Sequence, residues 1–140
     1  MRDFHYTVNV LVKAYMNNTL QHWKCQACAV GNIVAEATGF IMTPDNIMEN
    51  EWDWWGVVKP RFCVSDQRRD RGIKQIEATG YCIEEIARIE FAFERSDRGA
   101  SEEEWNFNGL MAVVDVLAEI HGIDLTAKEE AKKLFVKELS

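Results

Sequence analysis

Residues 105–121 confine their polar side chains almost entirely to one narrow row, Asn108, Asp115 and Glu119, with Ala112 between them. A helix that is apolar around most of its circumference has to be covered on several sides. The pattern therefore predicts a central helix with other helices packed around it. Ser101 supplies an N-cap, and Glu102, Glu103 and Glu104 put negative charge in the first turn, where the helix dipole favours it. Gly122 is the expected stop.

Other segments share the helical period. In 82–95, Ile83, Ile86, Ile89 and Phe93 form an inward stripe, while Glu84, Glu85, Arg88, Glu90 and Glu94 are assigned to water, with Glu84 and Arg88 spaced to pair. Residues 4–16 fit a strand through Phe4, Tyr6, Val8 and Val10, but the longer match, Phe4, Val8, Leu11, Val12 and Tyr15, is helical. A helix with little polar surface is expected over 25–37, and a short one after Thr43-Pro44. Glu36-Ala37-Thr38-Gly39-Phe40 and Glu77-Ala78-Thr79-Gly80-Tyr81 both read as helix ends closed by a left-handed glycine. Thr126-Ala127-Lys128-Glu129 is a capping box opening a last helix with Leu134, Phe135 and Leu139. Trp52-Asp53-Trp54-Trp55-Gly56 and the basic stretch after Pro60 match neither period. Residues 50–66 are therefore expected to be irregular, with room for a short strand at Val57-Val58 or Phe62-Cys63-Val64. The fold expected is a single all-α or nearly all-α domain over 1–140, with five or six helices.

The balance of 47% hydrophobic and 28% charged residues is that of a globular chain, and 140 residues suffice to bury about two-thirds of the unfolded surface without metal or disulfide. No run approaches the ~20 apolar residues of a membrane span, and the N-terminal residues lack the apolar core of a secretion signal, so a cytoplasmic location and no membrane partner are expected. The net charge of -7 argues against general affinity for nucleic acid.

Cys25-Gln26-Ala27-Cys28-Ala29-Val30-Gly31-Asn32-Ile33, Phe107-Asn108-Gly109-Leu110-Met111-Ala112-Val113-Val114 and the helix around Ile86-Ala87-Arg88-Ile89-Glu90 resemble, in combination, a small family of proteins from bacteria and their phages. Some of these carry the name of a sodium-translocating NADH-quinone reductase component. The resemblance covers most of the chain and assigns no catalytic residue to any position. The sequence has neither the four-cysteine spacing of an iron–sulfur site nor a glycine-rich dinucleotide motif.

Three groups of residues are candidates for function. Cys25 and Cys28 have ligand spacing for zinc, which His22, Cys63 or Cys82 would complete; the same pair near a helix start suits disulfide exchange, and packing in an alanine-lined helix needs neither. Trp52, Trp54 and Trp55 beside Arg68, Arg69 and Arg71 suit a protein interface or self-association, the cover of a core or, as the least favoured reading, the stacking and neutralisation of single-stranded nucleic acid. Asn32 and Asn108 stand in apolar helices, where a buried amide needs partners and ties elements together. No catalytic constellation emerges and no cofactor is required. The best reading is a non-enzymatic interaction or accessory protein acting through the aromatic–basic segment, with a zinc-binding or disulfide-exchanging thiol protein as the alternative.

Overall fold

The computed structural model describes residues 2–59 and 65–124, together with 126, 129, 130, 132 and 133. Cys63, the strand considered at 62–64, and Leu134, Phe135 and Leu139 of the expected final helix lie outside the described residues, whereas Thr126, Glu129, Glu130, Lys132 and Lys133 are helical.

Within them the protein is a compact helical domain: α1 (Phe4–Met16), α2 (Ala29–Thr38), a 3-10 turn (Ile47–Glu49), α3 (Trp54–Val58), α4 (Asp66–Thr79), α5 (Ile83–Glu94) and α6 (Glu102–Ile120), with no strand among the described residues. The longest helix, α6, packs on α5 and α1, while α2 bridges α1, α4 and α5. Val113, Val114 and Leu117 of α6 meet Val8 and Leu11 of α1, Ile33 of α2 and Ile86, Ile89 and Phe93 of α5 in one continuous core. Its ends are closed as the sequence predicts. Ser101 Oγ accepts from Glu104 N–H, and Gly39 and Gly80 end α2 and α4 at φ 78° and 81°, a conformation glycine adopts without steric cost.

Four local expectations are corrected. The segment 50–66 is not irregular throughout, because Trp54-Trp55-Gly56-Val57-Val58 forms α3 in place of a strand at Val57-Val58. Its start is fixed from α4: Gln75 Oε1 accepts from the backbone N–H groups of Asp53 and Trp54 at 2.8 and 3.1 Å, and the fully buried Trp54 anchors the turn in the core. Second, α2 begins at Ala29 with Cys28 as its N-cap, so Cys25 lies in the preceding turn. Third, Thr43-Pro44 opens only a turn leading to the 3-10 segment. Fourth, along α5 Ile83 is exposed and Glu90 is buried, and Arg88 pairs with Glu119 of α6.

Candidate functional site

The turn at 22–28, the helix α3, the C-terminal half of α5 with the loop after it, and Trp105 of α6 surround a cleft of about 580 Å³. Trp23, Trp55, Phe93 and Trp105 make aromatic walls. A framework behind them fixes their planes. His22 is buried and stacks between Phe93 (3.9 Å, 3° between planes) and Trp105 (3.8 Å, 10°). Its Nδ1 lies 2.7 Å from Asn106 Oδ1 and its Nε2 2.7 Å from the Phe93 carbonyl, and its backbone N–H also donates to Asn106 Oδ1. Both ring nitrogens thus have polar partners in the interior. Gly109 makes room for the stack: a Cβ there would sit 2.6 Å from Phe93 Cδ1 and 3.0 Å from His22 Cε1.

Trp23, next to this stack, has the opposite character. It holds φ at 70°, in the left-handed region that a bulky side chain rarely occupies, and its indole is 77% exposed. Such strain costs about 1–3 kcal/mol and persists where the surroundings enforce it. Arg98 lies over both Trp23 (5.2 Å) and Trp105 (4.8 Å).

Glu90 is the cleft's main polar feature. Although it is a carboxylate, it is only 3% exposed; its Oε1 is 3.2 Å from Lys59 Nζ, and its Oε2 is sealed from solvent without a hydrogen-bond partner among the described residues. Burial, reinforced by the neighbouring Glu94, pushes its pKa up to about 7 despite the opposing pull of Lys59. Burial opposes the charge of Lys59, but hydrogen bonds to Glu94 (3.0 and 3.2 Å) and the charge of Glu90 outweigh it and hold the ammonium above its usual pKa. The cleft therefore contains an acid able to hold or release a proton near neutrality and a lysine that stays charged.

Cys25 and Cys28 both line this cleft. Cys28 Sγ accepts from Gly31 N–H at 3.3 Å, the N-capping geometry of α2. Burial first, and the charge of Glu90 second, raise both thiols, Cys28 strongly. A helix start alone favours the thiolate, but desolvation outweighs that influence here. Cys82 is exposed at the start of α5. Among the described residues no group of three or more His, Cys, Asp or Glu side chains is placed to hold a metal ion.

The aromatic–basic segment is divided between structure and cleft. Trp54 is core, whereas half-buried Trp52 packs edge-on against Phe40 and donates from Nε1 to the Gln26 carbonyl at 3.4 Å. Arg68 and Arg71 both pair with the buried carboxylate of Asp53, at 2.9 and 3.2 Å. Trp55 reaches the cleft with Arg68 over its ring, and Arg69 is exposed. Asn32 ties α2 to the preceding loop through Nδ2, which donates to the carbonyls of Thr19, Ala27 and Cys28. Asn108 is half-buried and donates to the Asp97 carbonyl; the more deeply buried amide of that helix is Asn106.

Sequence reasoning missed Glu90 and Trp23. The signal for Glu90 was its position four after Ile86 and three before Phe93, on the buried face; no spacing rule announces Trp23. Comparison of the chain with family models, curated proteins and solved structures finds no match. No helix among the described residues is long and apolar enough to cross a membrane.

Proposed function

We propose that the protein is a non-enzymatic binding protein whose recognition surface is the cleft around Glu90, with Trp55 as the contribution of the aromatic–basic segment. The observation that carries this reading is the buried carboxyl of Glu90, whose Oε2 has no N–H donor among the described residues, within aromatic walls. A buried acceptor without a donor costs about 1–3 kcal/mol, more for a charged group, and a bound N–H or O–H group would recover it. Exposure of a strained indole in the same cleft fits the same purpose. Clefts of this size, mostly apolar with a few convergent polar groups, suit small molecules or a side chain of a partner.

The test is protein-observed NMR with aromatic amide fragments. Binding should move the indole N–H signals of Trp23, Trp55 and Trp105, and both Trp23→Ala and Glu90→Gln should weaken it at least tenfold. Fragments that bind elsewhere, or equally well to these variants, would contradict the proposal.

A second reading follows from both thiols lining the same cleft as an acid with a pKa near 7. In disulfide exchange Glu90 would accept the proton of an attacking thiol. The raised thiols weigh against it, and site-resolved alkylation rates decide the matter: fast reaction of Cys25 at neutral pH would favour exchange.

A further inference from the structure

The protein as a whole is acidic, but its cleft is not. Lys24, Lys59, Arg95 and Arg98 line it against two carboxyls, Glu90 and Glu94. Lys59 is neutralised by those two acids, which leaves Lys24, Arg95 and Arg98 exposed at the rim with no ion pair among the described residues. Three features therefore coincide: an exposed indole on Trp23 with Arg98 over one face, a buried acceptor on Glu90 and a positive rim in a chain of net charge -7. A flat ring with a polar N–H edge and an anionic group would engage all three.

We propose that the ligand of this cleft is a nucleoside monophosphate, its base stacked on Trp23, a base N–H donated to Glu90 and its phosphate held by the rim cations. This deepens the cleft-binding reading and rests on it. Every base has a face that can stack on an indole, so the platform is tolerant of base identity. Glu90 supplies a hydrogen-bond acceptor for an amino or imino group at the base edge. Arginine presents its donors in a fork that fits phosphate oxygens, and Arg98, over one face of Trp23 and over Trp105, is placed to meet the phosphate of a base stacked on the other face of Trp23. A ring without the anion would leave the rim unused, whereas an anion without the ring would leave Trp23 and Glu90 unused.

The experiment is isothermal titration of the whole chain with AMP, GMP, CMP and UMP, with the four nucleosides and with inorganic phosphate, at pH 7.5 and low salt. At least one monophosphate should bind with a submillimolar Kd, its nucleoside at least tenfold more weakly, and phosphate alone more weakly still. Arg98→Gln, at an exposed position, should shrink the monophosphate-to-nucleoside ratio, and Glu90→Gln should weaken both. If no monophosphate binds at millimolar concentration while aromatic amides still shift the cleft's indole signals, the nucleotide assignment is overturned and the cleft reading survives. If neither class binds, both fall. Phosphate binding as tightly as a nucleotide would also overturn the assignment, since the base would then contribute nothing.

Discussion

Glu90→Gln is expected to stabilise the protein above neutral pH while weakening what the cleft binds. The side chains are nearly the same size, so the main change is removal of an ionisable group from a site that disfavours its charge. The carboxyl rises from 4.5 to about 7 on folding, which at 1.36 kcal/mol per pH unit amounts to about 3 kcal/mol. The sign follows from proton linkage. Because the folded state binds this proton more tightly, the stability Glu90 contributes is fully present below its unfolded pKa and is lost as pH rises through about 7. Lys59 would lose one partner in the variant but keep Glu94, reducing the net gain to about 2 kcal/mol. In a domain of this size that corresponds to about 6 °C in Tm. Thermal and urea denaturation followed by circular dichroism should be run from pH 5 to pH 9 on both proteins. Their difference should be small at pH 5 and grow to its full size by pH 8. A variant less stable than the parent at pH 8, or a difference independent of pH, would refute the claim that Glu90 is a desolvated acid.

Gly109→Ala should destabilise the domain, since overpacking against Phe93 and His22 costs about 1–3 kcal/mol and exceeds the gain of up to about 1 kcal/mol in helix propensity; urea unfolding measures the balance, and near-ultraviolet circular dichroism should report the disturbed stack. Asn32→Leu should cost about 1–3 kcal/mol, because the Thr19 carbonyl loses its donor in the interior; an unchanged urea midpoint would deny the amide its tying role. With alkylation located by mass spectrometry at pH 7, exposed Cys82 should react first, Cys25 slowly and Cys28 only on unfolding, the order set by exposure and by the raised pKa values in the cleft. Fast labelling of Cys28 in the folded protein would contradict its burial.

The helices were readable in the sequence where a local rule and the tertiary environment agreed. Ser101, Gly39 and Gly80 mark their helix ends because capping depends on a few neighbouring residues, and α6 announced its burial through its narrow polar row. In α5 the period placed Glu90 between Ile86 and Phe93 on the inward face, but its charge sent the assignment to water and drew Ile83 inward in its stead. What holds Glu90 inside is Lys59 from another part of the chain, which no local pattern encodes. The helix α3 was hidden for a similar reason. Glycine and two valines make a poor helical sequence, and its start depends on Gln75 across the packing against α4. Arg68 and Arg71 looked like free charge in the sequence until Asp53 claimed them. The cleft gathers residues from 22–28, 55–59, 90–98 and 105, an assembly that exists only once the helices have packed.

Crystallographic mapping with a library of small aromatic amides is the most direct test of the proposal that this cleft is the protein's recognition site. Bound fragments should collect against Trp23 and place an N–H within hydrogen-bond distance of Glu90. An empty cleft in crystals whose other surfaces bind the same fragments would contradict it.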